Sequence, residues 1–242
     1  MAIITIGGLT GSGGRHIGKA VAETLGFDYI DRLILSDAAK QIGATVEAMQ
    51  EKEDKHVSMI GSISSLAQRI LERSAMSGVG GDPHFGPGAA AFLINEYADF
   101  PKATILKGVH MEDKDYIHGL SSVIVDIAKN DNAVIVGRGA AAILKDDESV
   151  LKIGLISSKE DRIGRICKRE NIDEAEAETI VNEKDSARST FYKTFFDYDG
   201  PEDPNQFHLS INTTLIKIDP AISMILEAAK SFKDGLLTHQ QV

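Results

Sequence analysis

Five glycines, Gly7, Gly8, Gly11, Gly13 and Gly14, fall between a β-branched run and the start of a helical repeat, and no other stretch of the sequence limits its fold as tightly. Ile3-Ile4-Thr5-Ile6 reads as a short strand. Ile17, Val21 and Leu25 make the apolar face of a helix that Gly26 stops. Glycine loses more conformational freedom on folding than any other residue, so such a density in one turn needs a reason. A strand-to-helix junction supplies one, because small residues let backbone N–H groups approach an anion where the helix dipole favours negative charge.

The segment Gly8-Leu9-Thr10-Gly11-Ser12-Gly13-Gly14-Arg15 departs from the pattern G-x-x-x-x-G-K-[ST] in its last two positions. Gly14 stands where that pattern has lysine, and Arg15 where it has a hydroxyl. Arg15 is the cation placed to replace the lysine, with Lys19 a turn further on, while Thr10 and Ser12 are the nearby hydroxyls that could face a magnesium ion. Gly8, Gly11 and Gly14 also fit a dinucleotide-binding loop, with Asp28 or Asp31 for a ribose. Against that alternative, no tyrosine is followed four residues later by lysine, the pair many short-chain reductases use.

Strands and helices alternate beyond the junction. Phe27–Ile30 reads as a second strand, and Leu33–Arg73 as helical, with Ile60, Ile63, Leu66 and Ile70 on one face. Residues 74–88 carry glycines and prolines at the density of a loop. A helix from about Asp115 to Lys129 leads into Ala133–Val136, whose lack of polar alternation suits a buried parallel strand. Lys152–Ile156 is a strand, Ser157 with Glu160 a capping pair for the next helix, and Asp173 with Glu176 the start of a longer one running to about Tyr192. Leu209–Asn212 and a helix opened by Asp219-Pro220 complete the pattern. The expected fold is α/β: a doubly wound parallel sheet of five strands flanked by helices. Its 242 residues fit one domain, 1–242, with a helical insertion at 32–119 and an arginine-bearing lid at 158–200.

A formal charge of −10 sets the overall field against nucleic acid. No apolar run approaches membrane-spanning length, MAIITIGG has no basic segment before its short apolar stretch, and Cys167 is the single cysteine, so a cytoplasmic protein is expected. The histidines show no paired metal-ligand spacing. Phe191, Tyr192, Phe195, Phe196 and Tyr198 suit core packing or a homodimer contact.

The second half is rich in arginine. Arg162, Arg165 and Arg169 recur at one helical face, and phosphoryl transfer needs fixed positive charge around a group that spreads negative charge over its oxygens. Arg138 follows a buried strand at its C-terminal end, where open α/β sheets place their ligands. Asp31 ends the second strand, where it either caps a helix or orients an acceptor hydroxyl or magnesium-bound water.

The order Gly11-Ser12-Gly13-Gly14-Arg15, Tyr29-Ile30-Asp31, Val136-Gly137-Arg138-Gly139, Asp161-Arg162, Asp185-Ser186-Ala187-Arg188 and Asn212-Thr213-Thr214 resembles the cytidylate-kinase-like family, a branch of the P-loop NTPase-type nucleoside monophosphate kinases. The resemblance spans most of the chain outside residues 40–115. It implies ATP-dependent phosphoryl transfer, with magnesium, to a nucleoside monophosphate such as CMP or dCMP. Gly8, Thr10, Gly11, Ser12, Gly13, Gly14 and Arg15 would then hold the donor phosphates, with Ser12 toward the metal. Arg15, Arg162, Arg165 and Arg169 would stabilise the transferring group, and Asp31, Arg138, Asp185 and Arg188 would hold the acceptor. Cytidylate kinases carry Gly-Arg-Asp after the central strand; Gly139 replaces that aspartate here. A nucleotide-binding regulatory protein without turnover and a kinase of another small metabolite remain alternatives, and small-molecule nucleotides are the expected partners.

Overall fold

The computed structural model describes residues 3–31, 113–130 and 132–237. Five parallel strands form one sheet in the order β2-β3-β1-β4-β5: β1 Ile3–Gly8, β2 Asp28–Ile30, β3 Ala133–Val136, β4 Val150–Ile156 and β5 Leu209–Asn212. The expected strand count and parallel arrangement hold. β1 lies at the centre, with Ile6 opposite Val136 of β3 and Gly8 opposite Leu155 of β4. Every strand therefore ends on the same edge as the glycine segment, and the loops that follow β1 and β3 lie side by side.

Helices cover both faces, which is why the central strands are mostly apolar, with Thr5 of β1 and Lys152 of β4 as buried exceptions. On one face Ile3, Ala133, Ile135 and Val150 pack against Leu120, Val123, Ile124 and Ile127 of α2 (Asp113–Asn130). On the other, Ile4, Ile6, Val134, Leu151 and Ile153 pack against Ile17 and Val21 of α1 (Gly14–Leu25) and Ile225 of the C-terminal helix. Alternate residues of β1 thus serve opposite cores, as the two-residue period of a strand requires. Gly26, left-handed with φ 68°, closes α1 by donating to carbonyls of the last turn, as its sequence position predicts.

The order continues with α3 (Ala140–Ile143), α4 (Lys159–Glu170), α5 (Glu174–Phe196), a 3-10 turn (Pro204–Gln206) and α6 (Ile218–Lys233). Asp173 caps α5 by accepting from Glu176 N, as expected. The cap of α4 corrects the expectation by one residue: Ser158, not Ser157, accepts from Asp161 N. Ser157 Oγ instead accepts from Arg165 and lies 3.2 Å from Thr214 Oγ1. α5 continues one turn beyond Tyr192, because Phe191 and Tyr192 are buried in the α2 core and Phe195 and Phe196 pack against it. The insertion expected at 32–119 lies outside the described residues apart from the start of α2, as does the glycine-rich loop at 74–88. Among the described residues no helix is long and apolar enough to cross a membrane.

Candidate functional site

The glycine loop between β1 and α1 takes a shape that side chains would prevent. Gly8, Gly11 and Gly13 have φ of 140°, 87° and 98°, a region costly for any residue with a Cβ. A Cβ at Gly11 would also lie 2.8 Å from the Arg162 carbonyl oxygen and 2.9 Å from Arg162 Cβ, so α4 rests directly on the loop. Gly13 occupies the N-cap of α1 and offers no side-chain acceptor. The first-turn amides of Gly14, Arg15 and His16 are the donors a helix leaves without intrahelical partners, and all three residues line a cavity of about 580 Å³.

What holds the loop is a set of bonds from α4 and α5. Arg162 Nη1 donates to Thr10 O at 3.1 Å and to Asp185 Oδ2 at 2.5 Å, while Thr10 N donates to Asp185 Oδ1 at 3.2 Å. Arg165 Nη1 donates to Gly11 O at 3.1 Å and to Thr213 Oγ1 at 2.9 Å, and Thr213 Oγ1 in turn donates to Ser12 O. Arg188 donates to Gly8 O. Glu202, unremarked in the sequence, accepts from the Leu9 amide; burial pushes its carboxyl above the usual range, against the opposing pull of Arg162.

These bonds sort the residues expected at the site. Arg162 is buried beneath the loop, and neither it nor Asp185 lines the cavity; both brace the loop from outside. Arg165, Arg169 and Arg188 do line it, together with Lys168 and Lys184, which sequence reading passed over. Arg169 is also paired with Glu170 at 2.5 Å. Ser12 Oγ donates to Leu9 O at 2.7 Å and so is turned into the loop. Thr10 lines the cavity, and its buried Oγ1 has no hydrogen-bond partner among the described residues, the condition expected of a hydroxyl that meets a ligand.

The opposite wall is the turn after β3. Gly137, Arg138 and Gly139 follow one another with φ of 81°, 55° and 69°. Arginine rarely adopts this region, and non-glycine strain of this kind collects where function fixes a side chain. Gly137 N donates to Ile6 O at 2.9 Å, tying the turn to the end of β1. At Gly139 a Cβ would lie 2.6 Å from Phe196 Cε2 and 3.2 Å from Phe191 Cε1, so aromatic rings of α5 fill the space an aspartate side chain would need. Arg15 Nη2 lies 4.0 Å from Asp31 Oδ2 across the mouth, with the arginine side chain 46% exposed and the aspartate 11%. Asp31 is the one acidic residue among the described residues that line the cavity. A chain of charge −10 thus gathers cations from α1, α4, α5 and the β3 turn around one cleft, a local field that favours anions. Among the described residues no His, Cys, Asp or Glu group of three or more is placed to hold a metal.

Across solved structures the chain is similar to an uncharacterized protein from Eubacterium ventriosum ATCC 27560, at 19% identity over 96% of this chain and 99% of that one, with a TM-score of 0.54. That likeness is one of fold. Alignments also extend to a gluconokinase from Sinorhizobium meliloti 1021 (13% identity, 97% and 95% coverage, TM-score 0.49) and a shikimate kinase from Bacteroides thetaiotaomicron (12%, 95% and 98%, 0.45). No curated protein matches the sequence. Residues 3–215 match the cytidylate kinase-like family, a span that takes in all five strands, the glycine loop, the β3 turn and helices α4 and α5. With its parallel five-stranded sheet and a glycine loop at the head of α1, the chain belongs to the cytidylate kinase-like family.

Proposed function

We propose that this protein is a phosphotransferase that moves the γ-phosphoryl group of ATP to a nucleoside monophosphate, CMP or dCMP being the acceptor the family points to. The observation that carries the reading is the cleft between the glycine loop and the Arg138 turn, lined by cations from four elements in an acidic chain. Loop amides and the uncapped start of α1 bind the donor phosphates. Arg138, held by a turn pinned to β1, faces them from the acceptor side with Arg15 and Asp31. Two anionic reactants are thereby brought together against their mutual repulsion, and catalysis comes from positioning and fixed charge, without a covalent intermediate.

Magnesium, when bound, neutralises phosphate oxygens. Asp31 is the carboxylate that would hold it, through water, since such ions need few protein ligands. Ser12 is less suited, with its hydroxyl spent on Leu9. A second reading, nucleotide binding without turnover, is favoured by the absence of lysine at position 14 and of a hydroxyl at position 15. A third, transfer to another small metabolite, is favoured by the aromatic rings packed against Gly139.

The test is ADP formation from ATP and magnesium against a panel of nucleoside monophosphates and hydroxyl metabolites, beside Arg138→Ala. Turnover with CMP or dCMP, reduced by orders of magnitude in the variant, is the expected result. Saturable ATP binding with no turnover on any acceptor would replace it with the binding reading.

A further inference from the structure

We propose that Glu202, on the connection between α5 and β5, is a positioning residue for nucleotide binding: its carboxylate holds the Leu9 amide, and through it the shape of the glycine loop, although the fold itself is more stable when that charge is absent. The proposal rests on the reading of this loop as the ATP site.

The five residues from Gly8 to Ser12 are each held by a side chain from the second half of the chain. Arg188 donates to Gly8 O, Arg162 to Thr10 O, Arg165 to Gly11 O and Thr213 to Ser12 O. Two of the holds fall on amides, and both come from carboxylates: Asp185 accepts from Thr10 N and Glu202 from Leu9 N. The two acids are not alike. Asp185 uses both oxygens, Oδ1 for Thr10 N and Oδ2 for Arg162 at 2.5 Å. Glu202 Oε1 is buried and has no hydrogen-bond partner among the described residues. A carboxylate oxygen left in this way is a cost that a native fold keeps only for a reason.

Glu202 faces Arg162 of α4 and both Asp185 and Arg188 of α5. Burial is the main cause that raises its carboxyl above the ordinary 4.5, opposed by Arg162; Asp185 adds to the rise, while the Leu9 bond and Arg188 counter it. Between 4.5 and the raised native value the folded chain binds more protons than the unfolded one. The stability that Glu202 contributes is therefore complete below about pH 4.5 and is lost as the pH rises through the native pKa, so the ionised group weighs on the fold above it. An ionised carboxylate also repels an anionic ligand. Against both effects stands its bond to Leu9, which is stronger for a charged acceptor than for a neutral one. Leu9 O in turn accepts from Ser12 N at 3.2 Å and from Ser12 Oγ at 2.7 Å. A fixed Leu9 thus fixes Ser12, and with it the approach to the first-turn amides of α1 that meet phosphate.

The connection that carries Glu202 is itself anchored. Gln206 Nε2 donates to Gly200 O at 3.0 Å and closes the turn between them. Phe207 lies against the sheet: a Cβ at Gly7 would come within 2.9 Å of its ring, and one at Gly154 within 2.6 Å. Gly7 is the residue before the loop, so the turn and the loop share one support. His208 N donates to Lys152 O at 2.8 Å and ties the end of the connection to β4.

The experiment is calorimetric binding of ATP at pH 8, with magnesium held constant, beside thermal midpoints, for the unmodified chain, Glu202→Gln and Glu202→Ala. Glutamine removes the charge and keeps a neutral acceptor for Leu9 N. Glu202→Gln is expected to melt no lower than the unmodified chain yet to bind ATP about three- to tenfold more weakly, the difference between a charged and a neutral hydrogen bond. Glu202→Ala, with no acceptor, should bind more weakly still. Charge alone would act the other way, because removing a carboxylate beside an anion site tightens binding. ATP binding by Glu202→Gln that is unchanged or tighter therefore overturns the proposal while leaving the site reading intact. A midpoint that falls together with affinity in Glu202→Gln overturns it as well, since Glu202 would then serve the fold. Lowering the pH from 8 to 5 should close any gap in midpoint between the unmodified chain and Glu202→Gln as the native carboxyl takes up its proton, and a midpoint gap that persists unchanged would sink the idea that the charge is its source. If Glu202→Ala does not fold, Glu202→Gln carries the comparison alone. An unmodified chain with no saturable ATP binding overturns the site reading, and the proposal with it.

Discussion

Arg162 and Asp185 grip the same residue from both ends: one donates to the Thr10 carbonyl at 3.1 Å, the other accepts from the Thr10 amide at 3.2 Å, and they bond to each other at 2.5 Å. Removing one member leaves the other charge in a largely dry place. Asp185→Ala should therefore destabilise the fold by roughly 3 kcal/mol, read from urea unfolding. The double change Arg162→Met/Asp185→Leu should cost clearly less than the two single changes summed, since it leaves no orphaned charge. Additive costs would show that the two residues do not act on the loop together.

Arg138 sits at φ 55° between two glycines that share its left-handed backbone. Alanine keeps the strain and glycine relieves it, so Arg138→Gly should unfold about 1 kcal/mol later than Arg138→Ala in denaturant melts. Both should be equally inactive, because both lose the guanidinium. Equal stability of the two variants would mean that the turn relaxes when the arginine is gone.

Restoring the aspartate of the family's Gly-Arg-Asp motif should harm the protein. At Gly139 φ is 69° and a new Cβ meets Phe196 at 2.6 Å, so Gly139→Asp should cost about 2–4 kcal/mol in thermal or chemical unfolding. Phe196→Ala in the same chain should recover part of the penalty that comes from the clash, leaving the part that comes from the backbone. Full tolerance of Gly139→Asp would disprove the packing account.

His208 gives the fold an acid-side weakness. Its Nδ1 accepts from Lys152 N at 3.0 Å, and burial, with Lys152 next, holds its pKa below the ordinary value of 6.5. The unfolded chain then takes up a proton before the native one does. The contribution of His208 to stability is thus complete above about pH 6.5 and falls away as the pH drops below it toward the native pKa. His208→Asn, whose carbonyl oxygen can accept from Lys152 N, should flatten that part of the profile in urea midpoints measured from pH 7.5 to 5. An unchanged slope would place the sensitivity elsewhere.

The architecture was legible because buried parallel strands leave a strong trace: Ala133–Val136 is apolar without alternation, Ile3–Ile6 is β-branched throughout, and Gly26 and Asp173 mark helix ends by backbone chemistry that depends on neighbours alone. The slip from Ser158 to Ser157 arose because two adjacent serines each stand three residues before an acid, and only the tertiary partners of Ser157, Arg165 and Thr214, decide between them. α3 was missed since four residues show no period.

The site was legible in part. The spacing of Arg162, Arg165 and Arg169 places them on one side of α4, but burial, which separates a brace from a cavity wall, depends on what the helix lies against. Asp185 and Arg188 were expected together at an acceptor and are found together at the loop, one beneath it and one beside the cavity. Glu202 and Lys184 carried no local signal, since an isolated acid or lysine in a charged helix or loop reads as surface.

Thr213 bonds to the Ser12 carbonyl across a sequence separation of 201 residues, and Arg165 to Gly11 across 154. Residues 8–14 leave the ribosome well before residues 165 and 213, yet the restraints that shape them arrive only with α4, α5 and the end of β5. Contacts this distant are formed late, because chain closure must precede any reward from them. The nucleotide loop is therefore synthesised ahead of the elements that shape it and is among the last to become competent, and a nascent chain stalled before residue 213 would hold a sheet without a working loop.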